Sequence, residues 1–221
     1  MILAIDTATQ FASLALYDQD GIYAEESWFT GRRHTTELMP RIVRMLQLAN
    51  LKVANLNAIA ISLGPGSFTG VRIGLAVAKG MALPHKLPLI GVPTLQIMAY
   101  PFQDDGLPVW AVVQAGRDRI LVACYDQVDN KWQEVVEPYL TTVEELGHKI
   151  TENCLCVGEV GAEATQILHQ ISLRRIQVVS PAKRLRRAGY LAEIAVGRLR
   201  TKDYKDSKSL APIYPASAVE K

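Results

Sequence analysis

The feature that most constrains the fold is a pattern of strands and helices that occurs twice in the 221 residues. In each copy, three short β-like segments separated by turns precede a helix, a strand and a second helix. A polar residue after the first strand lies twelve residues before the aspartate of a Tyr-Asp turn in both copies. These residues are Asp6 and Asp18 in the first copy, and Gln114 and Asp126 in the second. The chain is therefore expected to form two related βββαβα subdomains.

The spacing of apolar residues gives the predicted elements and domain boundaries. In the first copy, strands are predicted at 2–5, 13–17, 22–28, 58–63 and 87–92, with helices at 34–50 and 67–82. In the second copy, strands are predicted at 109–113, 120–125, 132–136, 155–157 and 176–179. A helix is expected after the capping-box residues 141–145, and the last long helix, 189–200, is assigned to this copy. We expect an N-terminal subdomain at 1–100, a C-terminal subdomain at 101–205 and a tail at 206–221.

Two βββαβα halves facing each other resemble the α/β architecture of actin, Hsp70 and hexokinase, the ASKHA fold. In that superfamily an aspartate after the first strand lies by the nucleotide phosphates and their metal ion. Asp6 and Thr7 resemble this segment, whereas Gln114 stands at the second position and lacks the charge that a magnesium site favours. The alternative for Asp6 is a residue at the end of a strand that bonds its own turn.

A glycine-rich turn joins the fourth predicted strand to the following helix. Gly64, Pro65 and Gly66 allow a sharp turn, and Ser67 is positioned to cap the helix. The N–H groups at a helix start attract anions, so this loop is a candidate phosphate site. Its glycines are spaced one residue wider than in the dinucleotide fingerprint, and there is no Walker lysine-serine pair, so a purely structural turn is the alternative. The nucleotide-binding candidates are Asp6, Thr7, Gly64, Gly66 and Ser67.

Small residues recur every four positions along the helix that follows, at Gly70, Gly74, Ala78 and Ala82. Glycine inside a helix costs about 1 kcal/mol relative to alanine, so this stripe indicates close approach by another element. That element is either the chain's own sheet or a helix of a partner, and the sequence leaves both open.

Charge, hydropathy and cysteine content narrow the class of protein. No apolar run approaches the ~20 residues needed to span a bilayer, and the N-terminus lacks the features of a signal peptide. Three cysteines, two of them alternating at Cys154 and Cys156 on one face of a strand, fit a reduced cytoplasmic protein. The net charge is +2, yet the segment 174–208 carries an excess of lysine and arginine. That segment is either a surface for RNA or an acidic protein, or a solvated helix face with its linker.

Four segments together resemble the TsaB (YeaZ) family, which takes part in making threonylcarbamoyladenosine in tRNA. They are residues 1–9, 33–35, 64–74 and 90–95. The resemblance covers about the first 100 residues, and beyond them it lies in the layout of elements. Two departures are Gln114-Ala115-Gly116 at the end of a strand and Pro215-Ala216 near the C-terminus.

This resemblance implies a non-catalytic subunit that holds the paralogous transferase TsaD in an active arrangement. The metal-binding histidines of TsaD fall on Thr94 and Met98 here, and neither replaces imidazole, so no metal site is expected. TsaD and the ATPase TsaE are the implied protein partners, with tRNA contacted indirectly, no intrinsic cofactor, and ADP or ATP a candidate at the TsaD interface. The same helices are expected to bind TsaD or to form a homodimer. The predicted interface residues are His34, Leu38, Ile42, Met45, Gly70, Val71, Gly74, Leu75 and Ala78.

Two other functions are weighed against this one. The first is an enzyme, either an ATP-dependent ASKHA transferase, which would need a second acid besides Asp6, or a glycoprotease-like peptidase using Ser67. No nucleophile elbow surrounds Ser67, and no histidine has an evident path to it from the sequence. The second is a stand-alone tRNA-binding module built on the segment 174–208.

Overall fold

The computed structural model describes residues 1–31, 33–116, 118–204 and 209–214. The chain divides into two compact units, each with its own sheet. The first unit contains residues 1–97 and the return segment 186–213, and the second contains residues 98–185 and Tyr214. The return segment differs from the prediction, which placed the last long helix in a C-terminal subdomain at 101–205. The predicted tail, including Pro215-Ala216, lies mostly outside the described residues.

Five strands form the sheet of the first unit in the order β3-β2-β1-β4-β5. Strands β2 and β3 are antiparallel additions to the parallel set β1, β4 and β5. Residues 53–55 form a short 3-10 helix before β4. The elements are β1 (Ile2–Asp6), β2 (Phe11–Tyr17), β3 (Ile22–Phe29), α1 (His34–Leu48), β4 (Ala58–Ser62), α2 (Phe68–His85) and β5 (Leu89–Val92).

The two faces of this sheet carry side chains of different size. Leu3 pairs across the strands with Leu16 and Ile59, and this large-residue face packs against the apolar stripes of α1 and α2. Strand alternation places Ala4, Ala15 and Ala60 on the opposite face.

The last helix, α6 (Ala188–Thr201), packs on strands β1 to β5 of this sheet. Its own small residues include Gly189, Ala192 and Ala195, all buried. Small side chains on both surfaces allow close packing, which is why α6 belongs with the first sheet although it follows the second in sequence.

The second unit repeats this topology. Its sheet order, β10-β9-β6-β7-β8, has the same connectivity as the first sheet, which confirms the internal repeat. Helices α4 and α5 pack together over a core of strand residues that includes all three cysteines. Residues 100–102 form a second 3-10 helix. The elements are α3 (Thr94–Ala99), which begins in the first unit, then β6 (Val109–Gln114), β7 (Ile120–Val128), β8 (Lys131–Thr141), α4 (Val143–Lys149), β9 (Cys154–Gly158), α5 (Ala162–Ile171) and β10 (Ile176–Val178).

Local signals in the sequence account for several boundaries. Ser67 caps α2, because its Oγ accepts the N–H of Gly70 at 3.2 Å. Thr142 and Glu145 form the capping box of α4. Among the described residues, no helix is long and apolar enough to cross a membrane.

Candidate functional site

The β1–β2 turn and the glycine loop after β4 meet at one edge of the first sheet. Parallel β1 and β4 end side by side there, so the segments that follow them come into contact. The N–H of Ser67 donates to the carbonyl of Ala8 at 2.6 Å, and the Thr7 hydroxyl donates to the carbonyl of Gly70 at 2.8 Å. The structure therefore brings four of the five predicted nucleotide-binding residues, Asp6, Thr7, Gly66 and Ser67, to one place.

The glycines of this region are required by packing within the chain. A Cβ on Gly66 would lie 2.0 Å from the carbonyl oxygen of Ala8, and one on Gly74 would lie 2.2 Å from Thr7 Oγ1. A Cβ on Gly70 would lie 2.2 Å from the Thr7 carbonyl oxygen. Of the two explanations for the glycine stripe, close approach within the chain is the one observed at Gly70 and Gly74, and the neighbour is the β1–β2 turn.

Gly64 faces a different neighbour. Its φ of +90° lies in the left-handed region, and a Cβ there would come within 2.9 Å of the carbonyl oxygen of Ile213. The Ile213 N–H donates to the Leu63 carbonyl at 2.7 Å, and Leu210 is buried in the core of the first unit. The segment 209–213 thus lies directly against the start of the glycine loop, a contact that the sequence did not reveal.

Several polar groups of the loop already have partners within the chain. The Ser67 N–H bonds Ala8, the Ser67 Oγ accepts from Gly70, and the Gly64 carbonyl accepts from the N–H of Thr94. A phosphate at this loop would have to displace some of these bonds or use the remaining N–H groups. This arrangement favours the structural explanation of the turn.

His34 and Ser67 both lie next to Gly70, a proximity that the sequence did not indicate. The His34 Nε2 and the Ser67 Oγ would each be 3.3 Å from a Cβ at Gly70. His34 is buried, and its Nε2 lies 3.1 Å from the carbonyl of Thr9, which only accepts, so this nitrogen carries the proton. A nitrogen that donates to a carbonyl does not act as a base toward Ser67, which argues against a serine peptidase.

The Asp6 carboxylate is fully buried and is neutralised by an arginine 180 residues away. Arg186 donates through Nε to Asp6 Oδ2 and through Nη2 to Asp6 Oδ1 at 3.0 Å. Oδ1 also accepts the N–H of Ala8 at 3.0 Å and the hydroxyl of Ser62 at 2.8 Å. The carboxylate bonds its own turn, as one alternative from the sequence stated, and has in addition an ion pair that the sequence did not predict.

The corresponding position in the second unit carries no acid, but an acid lies next to it. The N–H of Gln114 donates to the carboxylate of Glu159 at 2.9 Å, and its side-chain amide donates to the Glu159 carbonyl at 3.0 Å. Thr94 and Met98 are both buried. In the part of the chain that the structure describes, no three His, Cys, Asp or Glu side chains are arranged to hold a metal ion.

All nine residues of the predicted partner interface are buried within the first unit. These residues are His34, Leu38, Ile42, Met45, Gly70, Val71, Gly74, Leu75 and Ala78. Their helical spacing identified the faces of α1 and α2 that pack on the chain's own sheet. Buried side chains offer little surface to a partner, so the structure gives no support to an interface formed by these nine residues, which stays a prediction.

The opposite faces of the same helices expose an apolar surface, which we call the α1–α2 face. Residues Met39 and Val43 lie one turn apart on α1, and α1 packs beside α2. On α2 the exposed residues continue at spacings of three and four, and a Cβ added at Gly80 would meet no described atom within 4 Å. The face consists of Met39, Val43, Phe68, Arg72, Ala76, Gly80 and Leu83, with the Arg72 guanidinium 3.7 Å from the Phe68 ring centroid.

Part of the basic segment 174–208 is used within the first unit. Arg186 binds Asp6, Arg187 donates to Glu25, and Arg198 donates to the carbonyl of Gly91 and the side chain of Gln96. Hydrogen bonding to Glu25 raises the pKa of Arg187 above its ordinary value. Lys205 and Lys208 lie outside the described residues. These internal pairs reduce the charge that the segment can offer to RNA.

Comparison with known proteins identifies the family. The family model described as "TsaD: tRNA N6-adenosine threonylcarbamoyltransferase" matches residues 8–192, which is most of the chain. The chain belongs to this family. Curated relatives 31–40% identical to this chain are named TsaB, and the TsaB (YeaZ) assignment made from the sequence is confirmed.

Two curated relatives and one solved structure define the extent of the similarity. The tRNA threonylcarbamoyladenosine biosynthesis protein TsaB of Escherichia coli is 40% identical over 131 residues, which are 58% of this chain and 56% of that protein. The TsaB of Bacillus subtilis is 31% identical over 136 residues, 61% of this chain and 59% of that protein. The chain therefore matches a little over half the length of these relatives. A structure of YeaZ from Pseudomonas aeruginosa superposes with a TM-score of 0.80 at 23% identity, covering 96% of this chain and 98% of that one. The predicted ASKHA-type α/β fold with two subdomains is confirmed.

Proposed function

We propose that this chain is a non-catalytic subunit in the formation of threonylcarbamoyladenosine in tRNA, and that it binds and activates a TsaD-type transferase through the α1–α2 face. The observation that carries the proposal is the composition of α2. This 18-residue helix lies at the surface of the first unit, yet Arg72 and Lys79 are its only Lys, Arg, Asp or Glu residues. A surface helix in a monomeric protein normally carries a polar outer face, so an apolar one indicates a protein partner.

The arrangement of the face suits helix-to-helix docking. Phe68 is 54% exposed and Leu83 is 48% exposed, and they lie near the two ends of α2. Between them Ala76 and Gly80 offer little bulk, which lets a partner helix come close. Unlike Gly70 and Gly74, Gly80 is not required by any close neighbour among the described residues, so contact with a partner would give it a role. Burial of such apolar surface contributes ~25 cal/mol per Å² to association, before the costs of binding.

The polar residues that follow the first strand of each sheet, together with His34, support a function in which this chain does not itself catalyse a reaction. Asp6 is paired with Arg186, Gln114 carries no charge, and the Nε2 of His34 is bound to a carbonyl. Each group that an ATP-dependent transferase or a peptidase would use is therefore neutral, paired or absent among the described residues. The chemistry is assigned to the transferase partner.

The remaining components of the proposal follow from the family resemblance. TsaE is the proposed third subunit, and tRNA is contacted through TsaD. ADP or ATP, if part of the complex, would bind at the TsaD interface near the Gly64–Ser67 loop, since the chain holds no cofactor by itself in this proposal. A cytoplasmic location follows from a tRNA-modifying role. In the absence of TsaD, the same apolar face is the proposed contact of a homodimer.

Substitution on the α1–α2 face tests the proposal. Val43→Asp and Gly80→Gln place a polar group on α1 and a bulky one on α2, at exposed positions that the fold of the first unit does not need. Each variant is expected to weaken binding to bacterial TsaD at least tenfold, which corresponds to about 1.4 kcal/mol. Binding is measured by titration calorimetry, and folding by circular dichroism.

A control variant on the other unit separates specific from general effects. Leu173 is 79% exposed and lies outside α1 and α2, so Leu173→Asp should bind TsaD as the unmodified chain does. Unchanged affinity for the Val43→Asp and Gly80→Gln variants would place the interface elsewhere.

A further inference from the structure

The guanidinium of Arg186 donates hydrogen bonds to a cluster of oxygen atoms. Its Nε and Nη2 donate to both carboxylate oxygens of Asp6, and Nη2 also reaches Thr9 Oγ1 at 3.2 Å and the carbonyl oxygen of Phe11 at 3.4 Å. The side chains of both Arg186 and Asp6 are almost completely removed from solvent. A carboxylate, a hydroxyl and a backbone carbonyl are the ligand types that hard cations such as Mg²⁺ and Ca²⁺ take in proteins.

The fold class leads one to expect a metal ion and phosphates beside the aspartate that ends the first strand. The residues present do not fit that expectation. Asp6 provides one negative charge, which the guanidinium already balances, and its Oδ1 also accepts from Ala8 and Ser62. A divalent ion added here would leave two uncompensated positive charges in a buried setting, which is strongly unfavourable.

The backbone that carries Arg186 is fixed by three neighbouring contacts. The N–H of Ala188 donates to Ser13 Oγ at 2.9 Å, the N–H of Gly189 donates to Glu25 Oε1 at 2.7 Å, and Arg187 pairs with Glu25. Ser13 and Asp6 are register partners on adjacent strands, so these contacts hold the start of α6 beside the carboxylate. The guanidinium is therefore positioned before any ligand arrives.

We propose that Arg186 is a built-in cation that fills the metal position of the first unit, so that the intact chain binds no divalent ion or metal-nucleotide at Asp6, and that loss of this guanidinium turns the position into a binding site for a small cation. Arg186 has this role in the free chain, independently of any partner protein. The Asp6–Arg186 ion pair would also explain why the proposed non-catalytic subunit binds no metal-nucleotide at Asp6.

The test removes the guanidinium and supplies a cation from solution. Arg186→Ala leaves the buried Asp6 carboxylate without a cationic partner, and the midpoint of thermal unfolding is expected to fall by about 10 °C. Millimolar guanidinium, Mg²⁺ or Ca²⁺ should restore part of that loss, whereas tetramethylammonium chloride of equal ionic strength, whose bulky cation donates no hydrogen bond, should restore none. Binding is read directly from the loss of the free Mn²⁺ signal in electron paramagnetic resonance.

Three matched proteins serve as controls. The unmodified chain and Arg187→Ala, which removes a partly exposed pair, should show no cation-dependent midpoint and no Mn²⁺ binding at Asp6. The double variant Asp6→Asn with Arg186→Ala lacks the carboxylate and should also bind no Mn²⁺. Arg186→Gln fills more of the vacated volume, and the same measurements on it apply if the alanine variant does not fold without added cation.

Each result of these measurements either supports or overturns the proposal. Cation-dependent stabilisation in the Arg186 variants alone supports the proposal. It is overturned if the intact chain binds Mn²⁺ in an Asp6-dependent way, or if neither Arg186 variant responds to any of the three cations.

Discussion

At the scale of single residues, Thr7 explains more of the glycine motif than any partner does. Its carbonyl lies where a side chain at Gly70 would begin, and its Oγ1 lies where one at Gly74 would begin. The sequence showed that both glycines needed a neighbour, but it could not show which one, because Thr7 is more than sixty residues away. Gly74→Leu is therefore expected to disrupt the fold of the first unit.

A double-mutant cycle measures this contact. Gly74→Ala should lower the free energy of unfolding by about 1–3 kcal/mol, because the new methyl group meets Thr7 Oγ1. Thr7→Ala alone loses a buried hydrogen bond, worth about 1 kcal/mol. The two changes together should cost less than their sum, since the smaller residue 7 makes room for the methyl group. Urea unfolding followed by circular dichroism gives all the values.

Gly80 in the same helix is the matched control for that cycle. A Cβ there meets nothing within 4 Å among the described residues, so Gly80→Ala should stabilise the chain by about 1 kcal/mol through helix propensity alone. Additive effects at positions 7 and 74, or a neutral Gly74→Ala, would contradict the packing role given to Thr7.

Residues close in sequence were predicted best. The Ser67 cap and the Thr142 capping box depend on groups three positions apart, and both are present. The Asp6–Arg186 pair joins residues 180 positions apart and left no local signal. In the sequence, Arg186 is one of many basic residues in the segment 174–208, and no local pattern marks Glu159 as a neighbour of Gln114.

At the scale of elements, the spacing of apolar residues predicted where the helices lie, but it did not predict what each helix face contacts. The predicted interface residues Leu38, Ile42 and Met45 form one apolar stripe of α1, and that stripe packs on the chain's own sheet. The exposed residues Met39 and Val43 interrupt the polar face of α1, and this irregularity was the available signal for a partner surface. The last helix was placed with the wrong unit because sequence order, rather than the small residues on α6 and on the first sheet, guided the prediction.

Strand alternation was a reliable guide in β9. Cys154 and Cys156 were expected on one buried face, and both are in the core of the second unit. Burial raises the pKa of Cys156 to about 12, against an ordinary value of 9.0. The folded state therefore favours the neutral thiol.

The raised pKa predicts how stability and reactivity depend on pH. Thiols of the unfolded chain ionise from about pH 9, while Cys156 stays protonated in the fold, so its stabilising contribution is complete below pH 9. It is lost as pH rises toward 12, at about 1.4 kcal/mol per pH unit within that window. Cys156→Ala should show a shallower loss in urea unfolding between pH 9 and 10.5.

Thiol labelling checks the same environment. With Ellman's reagent at pH 8, none of the three cysteines should react until urea unfolds the chain, since only an accessible thiolate attacks. Rapid labelling of the native protein would contradict the burial of this cluster.

At the scale of the whole molecule, the repeated strand pattern predicted the two sheets and their shared connectivity. Nothing in that pattern indicated that the chain returns to the first unit at residue 186. That return is also what delivers Arg186 to Asp6 and Ile213 to Gly64. The sheet edge of this family member is thus closed by its own side chains, and its apolar α1–α2 face is the surface proposed for a partner.

The most direct measurement is formation of threonylcarbamoyladenosine in purified tRNA from threonine, bicarbonate and ATP, quantified by mass spectrometry of the nucleosides. Three mixtures are compared: this chain alone, TsaD with the other required proteins but without this chain, and the complete set. We expect product only in the complete set, with the Val43→Asp variant reducing it in proportion to its weaker binding. Product formed by this chain without TsaD, or an undiminished yield when this chain is left out, would contradict the account.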